Sequence, residues 1–237
     1  MKNIVQQSFQ KEGFSLNERQ IEQFVQYYDL LIDWNKKINL TAIEEPQEVA
    51  DKHFVDSALL LSVKKDLADC SLIDIGTGAG FPGIPLKIIE PRLKLTLFDS
   101  LNKRINFLNT VCHDLSLEGV QAVHGRAEDF GKKAEYREKF DLATARAVAR
   151  MPVLLEICLP FVKLGGHFIA LKGPELEKEL QESKKALFEL GGRVVDVQAL
   201  TLADGNYTRN IAVIEKIKPT PKKYPRKAGT PQKTPLI

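Results

Sequence analysis

The sequence predicts an α/β chain: a mostly parallel sheet closed by a C-terminal antiparallel hairpin and preceded by a helical extension. Three observations carry that expectation. Apolar runs of strand length alternate with amphipathic helical stretches between residues 72 and 190, as in a parallel sheet built from βα units. The first such run feeds a glycine turn, Gly76-Thr77-Gly78-Ala79-Gly80, and the next ends on an acid, Asp99. Farther on, two β-rich runs, 193–201 and 208–216, are separated only by Ala203-Asp204-Gly205-Asn206. They form a hairpin, so one strand must run antiparallel to the rest.

The elements follow in chain order. Residues 16–34 place Ile21, Phe24, Val25, Tyr28, Leu31 and Ile32 on one helical stripe, and Pro46 opens a second helix carrying Val49, Phe54, Ala58 and Leu61. These stripes read as packing faces. Residues 66–70 link into the glycine-turn strand. The expected division is therefore a helical extension over 1–66, a nucleotide-binding α/β domain over 67–217 and a tail over 218–237. Within the domain, a helix at 102–115 presents Ile105, Leu108, Val111, Cys112 and Leu115. A strand at 120–124 comes next, then a strand at 140–145 that ends on Arg146. A helix over 152–163 is expected to close at Gly165-Gly166, where glycine suits a left-handed cap. A strand at 167–171 ends in Lys172-Gly173, and one helix over 175–190 is again stopped by two glycines.

Strand, glycine turn, helix and acid-ended strand make the entrance of a Rossmann-like nucleotide site, with Asp99 placed for ribose hydroxyls. Asp74 discriminates among nucleotides. A carboxylate two residues before Gly76 would repel a dinucleotide pyrophosphate seated at the helix start, but it suits the ammonium of a methionine moiety. Pro82 and Pro85 also remove N–H donors there. Asp74 and Asp99 together point to S-adenosylmethionine. Gly78, Gly80 and Gly83 still spell a literal GxGxxG, so a nicotinamide-dependent oxidoreductase stays in view. Glu128, after the third strand, can approach an adenine amino group while the Ala127 backbone meets the ring. It can equally be an acid favoured at a helix N-terminus. Arg146 ends the fourth strand, facing the expected acceptor, and is either a catalytic contact or a structural ion pair. Lys172 is a second catalytic candidate, or surface charge.

Composition bounds the rest. The chain has 237 residues, 43% of them hydrophobic, enough to bury a core, and no apolar run of membrane length or N-terminal signal pattern, so a cytoplasmic protein is expected. Three scattered cysteines and four scattered histidines match no metal spacing, and no metal is expected. Charge is unevenly placed. Residues 218–237 hold Lys218, Lys222, Lys223, Arg226, Lys227 and Lys233 with no acid, leaving the other residues at a net charge of −3. Such a proline-rich basic end is either solvated chain or a polyanion contact.

Some absences also inform. No Asn/Asp-Pro-Pro-Tyr/Phe motif follows the fourth strand, Cys158 lies inside an apolar helix, and no histidine–carboxylate pair stands out as a general base. These gaps suit an acceptor whose lone pair is already free, such as guanine N7, which needs alignment more than deprotonation.

A parallel sheet ending in a hairpin resembles the class I methyltransferases, and the chain is similar along nearly its whole length to one family, the bacterial RsmG (GidB) methyltransferases. The resemblance rests on WNKKINLTA at 34–42, KHFVDS at 52–57, residues 74–83, DSLNKR at 99–104, Arg146-Ala147, Leu171-Lys172-Gly173 and YPRKAGTP at 224–231. It implies S-adenosylmethionine as cofactor, contacted by Gly76, Phe81, Ala127, Glu128 and Arg146, with Gly78 in the turn and Asp99 and Ser100 at the ribose. It implies N7 methylation of guanine 527 in 16S ribosomal RNA, free or in the small subunit or an assembly intermediate, by a monomer. With the resemblance, the tail reads as an RNA-phosphate contact through Lys222, Lys223, Arg226 and Lys227, one whose removal would leave the sheet and cofactor binding intact. A ribose 2′-O-methyltransferase with Lys172 activating the hydroxyl is the nearest alternative. An RNA-binding protein with a vestigial site is a further one.

Overall fold

The computed structural model describes every residue except Ala203, Asp204 and Asn206, with Tyr207 described by its backbone alone. The expected hairpin turn, Gly205 apart, therefore lies outside the described residues.

Helices α1 (Lys2–Lys11) and α2 (Glu18–Ile38) open the chain. A capping box starts α2: the Asn17 side chain accepts from the Gln20 N–H and Gln20 accepts from the Asn17 N–H, each at 2.9 Å. Its buried stripe is Ile21, Phe24, Tyr27, Leu31 and Asn35. Tyr27, and not the expected Tyr28, is the core tyrosine, and Tyr28 sends its hydroxyl to the Glu44 carbonyl at 3.0 Å.

The second predicted helix is broken into α3 (Pro46–Val49), a π-helical turn (Ala50–Val55), α4 (Asp56–Ala58) and α5 (Leu60–Val63). The wider turn brings Val49 and Phe54, five residues apart, into one core.

From there strands and helices alternate: β1 (Ser71–Ile75), α6 (Gly83–Ile89), β2 (Lys94–Asp99), α7 (Asn102–Asp114), β3 (Val120–His124), α8 (Ala127–Phe130), β4 (Phe140–Arg146), α9 (Met151–Cys158), β5 (Val162–Lys172), α10 (Leu176–Glu182), α11 (Lys184–Leu190), β6 (Gly192–Leu202) and β7 (Tyr207–Lys216). The order across the sheet is β3-β2-β1-β4-β5-β7-β6, parallel except for β7, which runs antiparallel to both neighbours. The order reverses between β1 and β4. The crevice above their carboxyl ends is where ligands of such sheets sit.

Alternating side chains give the sheet two buried faces. Leu72, Leu95, Leu97 and Leu142 join Phe9, Phe24, Tyr27, Ile84 and Phe107 from α1, α2, α6 and α7. Ile73, Phe98, Ala143 and Phe168 join Leu154 and Leu155 of α9, Leu190 of α11 and two tail residues, Tyr224 and Leu236.

Further expectations are corrected. The helix predicted over 152–163 stops at Cys158, because Pro160 in the following 3-10 turn has no N–H to continue it. Gly165 and Gly166 lie inside β5, not at a helix cap. A Cβ on Gly166 would stand 2.6 Å from the Asp141 carbonyl, at the shift in β4–β5 pairing between Phe140 and Leu142, so Gly166 serves close strand approach, while Gly165 faces open space and takes a left-handed φ of +74°. The helix predicted over 175–190 is two, divided at Ser183, whose hydroxyl donates to the Glu179 carbonyl at 2.6 Å. Finally, the tail packs against α9 and the neighbouring helices: it carries α12 (Thr230–Lys233) and buries Tyr224, Pro225 and Leu236. It is not a free appendage.

Candidate active site

The glycine turn between β1 and α6 is built around two acids. Asp74, near the end of β1, has no exposed surface; its Oδ2 accepts from the Thr77 hydroxyl at 2.6 Å and from the Gly83 N–H at 2.9 Å. Gly83 is glycine because a Cβ there would meet the Leu97 side chain at 2.7 Å and Asp74 Oδ2 at 2.9 Å. The N–H at the start of α6, which a pyrophosphate would need, is thus already taken by a carboxylate. That geometry speaks against a dinucleotide. Asp74 Oδ1 is buried and has no hydrogen-bond partner among the described residues. An unpaired buried carboxylate oxygen is costly in the free protein, and it suits a cationic ammonium. Burial pushes the Asp74 carboxyl up to about 6, against the downward pull of Thr77 and Gly83.

Asp99 ends β2, nearly buried. Its Oδ2 accepts from Gly78 N–H at 2.9 Å and from Arg104 at 3.2 Å, and its Oδ1 accepts from Leu101 N–H at 2.9 Å. A carboxylate offers about four acceptor positions. One remains for a ribose hydroxyl. The adjoining cleft, about 130 Å³, is lined by Gly76, Asp99, Ser100, Ala127 and Glu128, with Val148 across it. Gly76 has φ +69° and a Cβ there would strike Val148 at 2.8 Å, so the turn passes under Val148 only as glycine. Ser100 is exposed, and its carbonyl accepts from His124 Nε2 at 3.1 Å. Glu128 Oε1 accepts the N–H of Gly229, a tail residue, at 3.0 Å.

Phe81, 5% exposed, has the His53 ring stacked 4.6 Å from its own and the Arg146 guanidinium 4.8 Å from its ring centre, with His53 and Arg146 beside each other. Tyr27 buttresses the turn by donating to the Ala79 carbonyl at 2.5 Å. Arg146 donates to the Lys52 carbonyl at 3.1 Å and to Asp56 Oδ2 at 2.6 Å. The ion-pair reading of Arg146 is thus met, and the paired side chain still lines a cleft. The next residue, Ala147, takes a left-handed φ of +56°, a strained turn directly over the crevice.

A second cleft, about 240 Å³, begins there. It is lined by Lys52, His53, Arg146, Lys172, Gly173 and Arg209. Lys172 is not free in it: Nζ contacts Glu179 Oε2 at 2.8 Å and donates to the Ala149 carbonyl at 2.9 Å, with 12% of the side chain exposed. His53 bonds Thr41 through Nε2 at 2.8 Å, and burial followed by the Arg146 charge lowers its pKa to about 4.

His53, Asp56, Thr41 and Arg209 were not singled out by sequence reasoning. The available signal was Asp56, an acid on an otherwise apolar helical stripe.

The predicted RNA-binding residues separate. Lys222 and Lys227 are exposed, Lys223 contacts Glu189 at 3.3 Å, and Arg226 is committed to Glu156, which has no exposed surface. Arg226 is therefore not available for phosphate. Among the described residues no helix is long and apolar enough to cross a membrane, and no group of three His, Cys, Asp or Glu is placed to hold a metal ion.

A parallel sheet with an antiparallel β7, an acid-lined glycine turn and a buried acid ending β2 define a class I, S-adenosylmethionine-dependent methyltransferase. Solved structures agree on the fold. An S-adenosylmethionine-dependent methyltransferase from Aquifex aeolicus superposes with a TM-score of 0.52 at 19% identity, over 72% of this chain and 94% of that one. TYW2 of M. jannaschii, in complex with AdoMet, gives 0.54 at 15% identity, over 69% of this chain and 76% of that one. The family profile GidB, rRNA small subunit methyltransferase G, matches residues 20–211. The ribosomal RNA small subunit methyltransferase G of Alkaliphilus metalliredigens is 52% identical over 99% of this chain and 98% of its own length. That of Lactobacillus johnsonii is 54% identical over 95% of each. The chain belongs to the ribosomal RNA small subunit methyltransferase G family.

Proposed function

We propose that this protein transfers a methyl group from S-adenosylmethionine to N7 of a guanine in 16S ribosomal RNA, guanine 527 by family resemblance. We place it in the cytoplasm as a monomer acting on the small subunit or an assembly intermediate. The observation that carries the N7 assignment is Lys172, fixed between Glu179 and the Ala149 carbonyl. A ribose hydroxyl needs a base to take its proton. Here the ammonium is held by a carboxylate, and His53, neutral at pH 7, has a pKa too low for an effective base. A guanine N7 lone pair needs neither.

The cofactor, when bound, supplies an electrophilic methyl group on a sulfonium. The protein's part is placement. Asp74 Oδ1 is the free acceptor for the amino-acid ammonium, and Asp99 keeps one acceptor position for the ribose. Phe81 and Val148 exclude water beside the turn, and Arg146, over the Phe81 ring, lines the second cleft. Alignment and exclusion of water can supply several kcal/mol of the barrier, up to about 7–11. Incubating the protein with unmethylated small subunits and labelled S-adenosylmethionine, then digesting the RNA to nucleosides, tests the reading. Label in 7-methylguanosine is expected. Label in a 2′-O-methylnucleoside would overturn it in favour of the ribose alternative.

A further inference from the structure

Resting on that RNA-methylation reading, we propose that Arg209, oriented by the buried carboxylate of Asp56, binds a phosphodiester of the RNA beside the target guanine. Asp56 is then the positioning residue that sets Arg209 and Arg146 at a fixed spacing.

Asp56 has no exposed surface. Its Oδ2 accepts from Arg146 Nη1 at 2.6 Å and its Oδ1 from Arg209 Nε at 2.5 Å. One carboxylate between two guanidiniums leaves one positive charge over. Exposure decides where that charge is presented: the Arg146 side chain is 12% exposed and the Arg209 side chain 33%. Hydrogen bonding agrees. Arg146 also donates to the Lys52 carbonyl, and its Nη2 lies 3.4 Å from His53 Nδ1. Arg209 is bonded among the described residues only through Nε, which leaves its two terminal nitrogens for a ligand. The other cations of the cleft are matched, Lys172 by Glu179 and Lys52 by Glu48. His53 adds no charge near neutral pH. Arg209 is the surplus.

Its placement favours RNA over the cofactor. Strand β7 stands three strands from β1, where Asp74 waits for the amino-acid end, a separation of about 14 Å at ~4.8 Å per strand. The neighbouring Asn210 pairs with Lys172 across β5 and β7 and donates to the Gly173 carbonyl at 2.9 Å, so the backbone carrying Arg209 is fastened to the cleft wall. A guanine turned out of its stack brings its own phosphates to the rim of the pocket, and a guanidinium held at Nε can meet a phosphate with its remaining donors.

The test compares wild type with Arg209→Gln and Arg209→Lys, using unmethylated small ribosomal subunits over a salt series. Methylation rate, direct subunit binding, S-adenosylmethionine affinity and thermal midpoint are measured together. Arg209→Gln is expected to raise KM for the subunit at least tenfold, with kcat within about twofold. The slope of log affinity against log salt should become shallower by about 0.7–0.9, one phosphate contact. Cofactor affinity and midpoint should hold, and Arg209→Lys should recover most of the slope. Asp56→Asn should also weaken RNA binding, although by charge alone deleting an acid from a basic cleft tightens it. Unchanged KM and slope in Arg209→Gln would overturn the proposal. So would a loss of cofactor affinity, which would put the arginine on the cofactor, or failure of both Arg209 variants to fold. If wild type bound subunits in an Arg209-dependent way yet formed no 7-methylguanosine, the phosphate contact would stand and the N7 reading would fall.

Discussion

The Arg226 guanidinium closes on the carboxylate of Glu156: Nε lies 2.9 Å from Oε1 and 3.1 Å from Oε2, and Nη2 2.6 Å from Oε2, while the Arg226 N–H also donates to Oε1 at 2.8 Å. Glu156 sits in α9 with no exposed surface, so Arg226 is what makes an acid tolerable in that apolar helix. Arg226→Ala would leave a buried charge uncompensated, costing about 3–5 kcal/mol. Thermal denaturation should show a fall of roughly 6–20 °C, at about 2–4 °C per kcal/mol for a chain of this size. Adding Glu156→Gln should recover part of it. An unchanged midpoint for Arg226→Ala would return the tail to the status of a loose appendage.

The same tail reaches the cofactor cleft, since the Gly229 N–H holds Glu128. Deleting residues 218–237 removes that bond, strips Tyr224 and Leu236 from the core and strands Glu156. Calorimetry on the truncated protein should therefore show weaker S-adenosylmethionine binding together with a lowered midpoint. Normal affinity would mean that Glu128 needs no help from the tail.

Asp99→Ala should weaken the cofactor by about 1.5–3 kcal/mol, the usual worth of hydrogen bonds to a charged group. Part of that loss comes through Gly78, whose N–H the carboxylate fixes. Titration of the folded variant is the check, and unchanged affinity would remove Asp99 from the site.

Asp74 predicts a pH dependence. Its carboxyl, raised to about 6, must be ionised to receive an ammonium, so cofactor affinity should fall by up to tenfold per pH unit below about 6. For stability the sign is the reverse. A raised carboxyl favours the fold below its unfolded value near 3.8, and that contribution is lost as pH rises through about 6. His53, lowered from 6.5 to about 4, works oppositely, its contribution being lost as pH falls toward 4, so the two offset between. Asp74→Asn should remove the pH dependence of binding. A flat wild-type profile between pH 5 and 7.5 would contradict the role given to Asp74.

Much of this was legible in the sequence because it is local. Strand β3 runs over the predicted 120–124, and the acid-flanked glycine turn and the hairpin need only neighbours in the chain to define them. What escaped depends on residues far apart. Asp56, Arg146 and Arg209 come from three segments, and no periodicity joins them. Gly165-Gly166 misled because a left-handed glycine serves a strand irregularity as readily as a helix cap. The tail misled because counting charges cannot show that one arginine has a buried partner. The lone acid among Val153, Leu154, Leu155 and Ile157 was the available sign.

The most direct measurement of the central claim is mapping methylated nucleotides in small-subunit ribosomal RNA from cells lacking this protein. The account predicts loss of 7-methylguanosine at one guanine, position 527, restored by the wild-type gene and not by one carrying both Asp74→Asn and Asp99→Ala. Retention of that mark, with loss of a ribose methyl group or of no modification at all, would contradict it.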